Sequence, residues 1–262
     1  MNNFSFYNPA KIIMGFQALD QLPELLKENG ATSLLFIYSG DYIKSLGILD
    51  AVKDACSSLD IHFFENGEVV PNPKVELVRK LISEGKENNV DFVLACGGGS
   101  SIDTAKAVAA GIPYDGDIWD FYEYTAAPVS ALPVGVISTI PSSGSESSNA
   151  SILSNGLYKC GIEYDCLIPK FAIMNPEYTR TLPAYQTSCG LADIFSHLLE
   201  RYLTNTEHVD TTDYMLEGAM KALLINAARL MKDPADLNAR AEVQMLAFIA
   251  HNGFLEMGRE TD

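Results

Sequence analysis

The sequence predicts an α/β fold in which a parallel β-sheet is covered by helices, followed by an all-helical segment. Short apolar runs alternate with amphipathic stretches through the first two thirds of the 262 residues, a pattern typical of strands and helices that build a parallel sheet. After about residue 180 the helical period continues without strand-like runs. The apolar fraction of 47% is large enough for a substantial core.

The alternating elements can be placed in chain order. Apolar runs predict strands at residues 34–38, 61–65, 91–96 and 133–139. Helical spacing of apolar residues predicts helices at residues 48–56 and 75–88, and a further helix that opens at Ser100. The segment 69–74 contains two prolines and is expected to be a loop. A domain boundary near residue 180 would separate an α/β domain at residues 1–180 from a helical domain at residues 181–262.

The charge balance excludes several classes of partner. The formal net charge is −16, with 34 acidic and 18 basic residues, which argues against nucleic acid and against anionic membrane surfaces. Apolar stretches fall short of the roughly 20 residues that a membrane span requires, and the first residues do not resemble a signal peptide. The five cysteines match no zinc or redox spacing, which predicts reduced thiols in a cytoplasmic protein.

A glycine-rich turn follows the strand predicted at residues 91–96. Glycines 97–99 let a ligand approach the backbone closely. Ser100 stands where a helix begins, and the free N–H groups and the positive dipole end of a helix attract phosphate there. The spacing differs from the usual dinucleotide fingerprint. A tight strand-to-helix turn capped by serine is the alternative interpretation.

A serine-rich segment, Ser138–Ser148, follows the strand predicted at residues 133–139. Its hydroxyls and small side chains suit contacts with a ribose, a pyrophosphate or a nicotinamide. A solvated serine-rich loop is the alternative interpretation for this segment taken alone.

Asp193 and His197 form the third motif. Their i, i+4 spacing places both side chains on one helix face, about 6 Å apart at Cβ. A carboxylate oxygen and an imidazole nitrogen are common ligands of Zn²⁺ and Fe²⁺. An ordinary helical ion pair, or a histidine that belongs to the core, is the alternative.

In this order, the three motifs resemble the iron-containing (group III) alcohol dehydrogenases, most closely their butanol dehydrogenase branch. Other matching segments are FYNPAKIIMGFQAL (6–19), similar to the family's opening strand pair, YSGDYIKSLG (38–47), similar to its first nucleotide loop, VVPNPK (69–74) and AHNGFLEMGRETD (250–262). The resemblance covers the whole chain and about two thirds of a family member. It implies the dehydroquinate synthase-like fold of that family, with an incomplete helical domain. A glycerol dehydrogenase or dehydroquinate synthase relative is the alternative within the superfamily.

The resemblance implies that NAD or NADP binds between the domains. Its pyrophosphate would lie on the glycine-rich turn, and the nicotinamide would face the serine-rich segment. Lys159 would reach the ribose, and Leu182 would pack against the cofactor at the domain hinge. The implied cofactor residues are Gly40, Asp41, Gly98, Gly99, Ser100, Asp103, Thr139, Ile140, Ser143, Ser145, Lys159 and Leu182. Asp41 would repel a 2′-phosphate, which predicts NAD over NADP, although its side chain could equally point to solvent. Asp103 could instead cap its helix or pair with Lys106.

The implied reaction is reversible hydride transfer between a primary alcohol such as butanol, or the matching aldehyde, and the nicotinamide. Asp193 and His197 would hold Fe²⁺ or Zn²⁺, which acts as a Lewis acid. In the family two further histidines follow the segment that resembles residues 250–262, so this chain is expected to be truncated at its C-terminus and to carry half of the metal site. His251 is expected near the cleft and not as a ligand. Family members are commonly homodimers. The alternative function is an inactive nucleotide-binding protein.

Overall fold

The computed structural model describes residues 1–260, which form two β-sheets and a set of helices. The strands are β1 (Lys11–Met14), β2 (Ser33–Tyr38), β3 (His62–Asn66), β4 (Phe92–Gly97), β5 (Val134–Ser138), β6 (Ala150–Asn155), β7 (Tyr158–Glu163) and β8 (Phe171–Met174). The main sheet has six parallel strands in the order β1-β8-β5-β4-β2-β3, and β6 and β7 form an antiparallel hairpin. This topology confirms the predicted α/β class.

Helices connect the strands and then continue alone. They are α1 (Leu22–Glu28), α2 (Tyr42–Ser45), α3 (Ile48–Ser58), α4 (Val75–Glu87), α5 (Gly99–Gly111), α6 (Trp119–Tyr122), α7 (Ala184–Tyr202), α8 (Asp210–Lys232) and α9 (Leu237–Ala250). Short 3₁₀ helices lie at Ala18–Gln21, Asp165–Leu167, Pro176–Thr179 and Phe254–Glu256. The four predicted strands and the predicted helices at residues 48–56 and 75–88 are confirmed within a few residues.

The main sheet is covered on both faces by apolar side chains. Every residue of β2 and β4 is buried, as expected for central strands of a parallel sheet. Successive side chains point to opposite faces: Ile37 and Val93 join one apolar cluster, while Phe36 and Phe92 join the other. The continuous apolar runs of the sequence therefore supply two cores with one set of strands.

A third apolar cluster holds the last three helices together. Ile194 from α7, Leu223 from α8 and Val243 from α9 are buried in it. No strand occurs in the described residues after Ala184, in agreement with the predicted helical segment, whereas the domain boundary near residue 180 stays a prediction. In residues 1–260, the helices that are long enough to cross a bilayer are not apolar enough to do so.

The predicted opening strand pair is wrong. Residues 6–10 are not a strand, and only Lys11–Met14 joins the sheet, parallel to β8. Asn8 is instead bonded to two loops outside the sheet: its Nδ2 donates to the carbonyl oxygens of Ser147 and Asn252, at 2.8 and 3.1 Å. The β6–β7 hairpin and β8 were not predicted, because three of the six residues of β6 are polar without regular alternation and β8 is only four residues long.

Candidate cofactor and metal site

The glycine turn, residues 97–99, lies at the carboxyl end of β4. The neighbouring strands β2 and β5 end at the same level, since Tyr38 pairs with Cys96 and Ser138 pairs with Gly97. The first loop (residues 39–47) and the serine loop (residues 139–149) therefore meet the glycine turn at one edge of the sheet. Ligands of open α/β sheets bind at this edge.

Glycine is required at the turn for packing as well as for ligand access. Gly97 has a φ of +144°, which side chains rarely adopt. A Cβ on Gly98 would lie 3.0 Å from Ile140, and one on Gly99 would lie 3.0 Å from Oγ of Ser143. The predicted phosphate site is thus bordered by two of the predicted nicotinamide residues.

Helix α5 begins at Gly99, one residue before the predicted start, and its first N–H groups have no intrahelical acceptor. These groups, together with the helix dipole, fit the pyrophosphate of a dinucleotide. The structure therefore brings together the residues predicted on the glycine turn, Gly98, Gly99 and Ser100, with those predicted on the serine loop.

A buried polar network ties α5 to the serine loop. Lys106, which is fully buried, donates to the carbonyl oxygens of Ser148 and Ala150, both at 2.8 Å, and to Oγ of Ser145 at 3.2 Å. Ser145 in turn donates to Asp103 Oδ1 at 2.8 Å. Asp103 does not cap α5. It makes no direct ion pair with Lys106, although the two opposite charges attract each other.

Burial shifts the acid–base behaviour of this network. Desolvation raises the pKa of Asp103 to about 6, against the opposing charge of Lys106, and lowers the pKa of Lys106 to about 8. Glu146 is 2% exposed, and desolvation raises its pKa to about 7. Its Oε1 has no hydrogen-bond partner within residues 1–260. Lys106 as a loop anchor and Glu146 as a buried acid were not predicted, because sequence patterns do not show which loop a lysine reaches.

The first loop presents Asp41 to solvent. Its side chain is 89% exposed and forms an ion pair with Lys44 at 2.7 Å, which holds the pKa of Asp41 below its ordinary value. Gly40 before it has a φ of +76°. Tyr42 after it is half-buried, and its hydroxyl shares a hydrogen bond of 2.8 Å with Oγ1 of Thr139.

Two of the implied cofactor residues, Lys159 and Leu182, come after the serine loop in the sequence. Lys159 is exposed on the hairpin, and its Nζ donates to Asn72 Oδ1 at 3.0 Å. Leu182 lines a small cavity with Pro141, Thr179 and Arg240. The roles of Lys159 at the ribose and of Leu182 at the hinge stay predictions.

Asp193 and His197 lie on one face of α7, as predicted. Oδ1 of Asp193 is 3.8 Å from Nε2 of His197, and the two side chains are 45% and 21% exposed. This spacing suits two donors that share one metal ion. No cluster of three or more His, Cys, Asp or Glu side chains able to hold a metal occurs in residues 1–260. The described residues therefore fit the metal as two of its donors and do not complete its coordination.

His251 connects the two predicted sites. Its ring stacks on that of His197 with centroids 4.6 Å apart, and its Nδ1 shares a hydrogen bond of 2.6 Å with the carbonyl oxygen of Ser143. Desolvation lowers the pKa of His251 to about 4. A cavity of about 360 Å³ opens beside His251 and is also lined by Tyr7, Asn8, Ser148 and Arg201. The position of His251 agrees with the expectation that it borders the cleft.

Comparison with known proteins identifies the family. Residues 9–176 match the model of the family described as iron-containing alcohol dehydrogenase. The chain is 37% identical over 264 residues to the probable NADH-dependent butanol dehydrogenase 1 of Bacillus subtilis, covering all of this chain and 68% of that protein. It is 33% identical to the NADPH-dependent aldehyde reductase YqhD of Escherichia coli, covering all of this chain and 68% of that protein.

Solved structures give the same result. The crystal structure of NADH-dependent butanol dehydrogenase A from Thermotoga maritima is similar with a TM-score of 0.96 and 36% identity, over all of this chain and 66% of that one. The chain spans about two thirds of the length of these relatives.

The comparisons favour a dehydrogenase of the butanol branch over an inactive nucleotide-binding protein and over the other superfamily relatives. The family description names iron, and neither this description nor the names of the relatives above mention zinc. The zinc alternative therefore has no support.

The comparisons, together with the glycine turn, the serine loop and the Asp193–His197 pair, show that this chain belongs to the iron-containing alcohol dehydrogenase family of nicotinamide-dependent oxidoreductases.

Proposed function

We propose that this chain carries the dinucleotide site and the first two metal donors of an NADH-dependent, iron-dependent alcohol dehydrogenase. Its substrates are primary alcohols such as butanol and the matching aldehydes. The observation that carries this proposal is the position of His251, which contacts His197 and the carbonyl of Ser143. Hydride transfer needs the oxygen-bearing carbon and the nicotinamide side by side, and His251 brings the two predicted sites next to each other.

The residues of the chain have separate tasks in this reaction. A bound dinucleotide supplies or accepts the hydride, and a bound metal polarises the substrate oxygen. The first turn of α5 would bind the pyrophosphate, and Ile140 and Ser143 of the serine loop lie beside Gly98 and Gly99 of this turn. Asp193 and His197 hold the metal. The cavity beside His251 has room for a short alcohol or aldehyde.

NADH is the proposed cofactor in preference to NADPH. The relatives named as butanol dehydrogenases are described as NADH-dependent. A 2′-phosphate needs a free cation and room, and the cation of the first loop, Lys44, is engaged by Asp41. Asp41 is thus partly neutralised, so its repulsion of a 2′-phosphate is weaker than for a free carboxylate.

The test is oxidation of NADH with butanal, in the presence of Fe²⁺ and after its removal by a chelator. Residues 1–260 supply two of the metal's donors, so turnover is expected when the remaining donors are present. It is then metal-dependent, with slower turnover of NADPH than of NADH. His197→Ala is expected to abolish turnover and to lower the iron bound per chain, whereas the matched control His62→Ala removes an exposed imidazole on β3 and leaves both unchanged. Turnover that survives both the chelator and His197→Ala would contradict the proposal.

A further inference from the structure

One contact in the cofactor site joins two loops that lie on opposite sides of β4. Tyr42 belongs to the first loop, after β2, and Thr139 begins the serine loop, after β5. Strand β4 lies between these two strands in the sheet. The bond of 2.8 Å between the two hydroxyls therefore spans the carboxyl end of β4, where the glycine turn begins.

Both ends of this contact are fixed. The backbone N–H of Thr139 donates to the carbonyl oxygen of Gly97 at 3.0 Å, so Thr139 is attached to the glycine turn itself. On the other side, the ring of Tyr42 leans over Gly40, where a Cβ would come within 3.0 Å of its Cδ1. The ring is thus held between Gly40 and the start of the glycine turn.

This position competes with a dinucleotide. The free N–H groups at the start of α5 face the same edge of the sheet, and a pyrophosphate bound to them must lie next to Gly98 and Gly99. The phenol of Tyr42 is the largest side chain of the first loop and reaches the turn from one side. A ligand that lies along the strand ends must displace it.

We propose that Tyr42 and Thr139 form a clasp across the pyrophosphate position, and that the clasp opens when the dinucleotide binds. Tyr42 is then a positioning residue that sets cofactor affinity. This inference rests on the proposed function, since it assumes a dinucleotide at the glycine turn. When only a fraction of the molecules is open, the measured dissociation constant is the intrinsic one divided by that fraction.

The experiment measures NADH and NADPH binding by their fluorescence, without metal or substrate, so that no turnover is needed. Tyr42→Phe removes the hydroxyl and keeps the ring, and is expected to tighten NADH binding about twofold to tenfold, the effect of one net hydrogen bond. Tyr42→Ser removes the ring as well and is expected to tighten binding further. The matched control is Tyr124→Phe, which loses a bond of 2.7 Å to the carbonyl of Gly161 on the hairpin, away from the glycine turn.

The outcomes separate the clasp from the proposed function. Tighter binding by both Tyr42 variants, faster association in stopped flow and no change for Tyr124→Phe would support the clasp. NADH binding by Tyr42→Phe that equals the wild type within twofold, or is weaker, would overturn the clasp and leave the proposed function intact. Failure of the wild type and of both Tyr42 variants to bind either dinucleotide, in samples with unchanged melting curves, would overturn both.

Discussion

The ammonium of Lys106 donates to the main-chain carbonyl of Ser148 across 2.8 Å, and it does so inside the protein, where the lysine has no exposed surface. A charged group is costly to bury unless its donors are satisfied. Here the partners are loop oxygens, so the lysine on α5 determines the path of the serine loop. Lys106 therefore stabilises the fold, although the proposed reaction does not use it directly.

Lys106→Met is expected to lower the free energy of unfolding by about 2 kcal/mol, because two buried carbonyl oxygens lose their donor while the stem of the side chain is kept. Urea unfolding followed by circular dichroism measures this change. The matched control is Lys86→Met, which removes a bond of 2.6 Å to the carbonyl of Tyr114 on the exposed surface. Equal effects of the two substitutions would contradict the anchoring role of Lys106.

Glu146 makes stability depend on pH. Because burial raises its pKa to about 7, the folded protein keeps a proton on Glu146 that the unfolded chain releases near its ordinary pKa of about 4.3. The free energy of unfolding therefore falls as the pH rises from about 4.3 to 7, by roughly 3 to 4 kcal/mol for this group alone. Above pH 7 the contribution of Glu146 to the free energy of unfolding has been lost completely.

Glu146→Gln is expected to flatten this pH dependence, measured by urea unfolding at several values between pH 5 and pH 8. The slope that remains is close to zero, because two other buried groups oppose each other: the raised pKa of Asp103, about 6, lowers stability as the pH rises, and the lowered pKa of His251, about 4, raises it. Glu242→Gln, on the exposed face of α9, serves as control and keeps the wild-type slope. An unchanged slope in Glu146→Gln would show that the Glu146 side chain is hydrated.

Gly144 lets the serine loop pack closely against α9, where no space remains for a side chain. Its φ is +66°, and a Cβ would lie 2.6 Å from the carbonyl oxygen of Ala247 and 2.8 Å from Cβ of His251. Gly144→Ala is therefore expected to cost about 2 kcal/mol or more, from the strained backbone and the displaced helix.

Gly218 is the opposite case, because it lies in α8 and, apart from its chain neighbours and the backbone of its own helix, no atom lies within 4 Å of the position that its Cβ would take. Gly218→Ala is expected to stabilise the protein by about 0.5 to 1 kcal/mol through higher helix propensity. Thermal melting of both variants checks the pair. A Gly144→Ala variant as stable as the wild type would contradict the close packing of the loop on α9.

Arg259 anchors the segment after α9. Its buried guanidinium contacts Asp213 at 2.6 Å, Thr212 at 2.7 Å and the carbonyl oxygen of Arg201 at 2.6 Å. Arg259→Met is expected to lower stability by about 3 kcal/mol, because it leaves these partners unpaired. Arg229→Met, which breaks an ion pair with Asp236 on the surface, is expected to cost less than about 1 kcal/mol. Chemical denaturation of the two variants should show this order, and similar losses would contradict it.

The class of the fold and the positions of its main motifs follow from the amino-acid sequence alone. Continuous apolar runs such as residues 34–38 need burial on both faces, which is typical of central strands, and their alternation with helical periods implies a parallel sheet. Glycines 97–99 after a strand, and the Asp193–His197 spacing on a helix, are local patterns that any chain folding this way must place at a strand end and on one helix face.

The contacts between these motifs are visible in the folded structure and not in the sequence. The bond between Tyr42 and Thr139, the hydrogen bond of Lys106 to Ser148 and the stacking of His251 on His197 join residues that are between 42 and 97 positions apart in the chain. Sequence periodicity reports which face of an element is buried, but not which loop lies opposite. That choice depends on strand order and on the packing of α7 and α9 against the serine loop, so these contacts follow only from the folded chain.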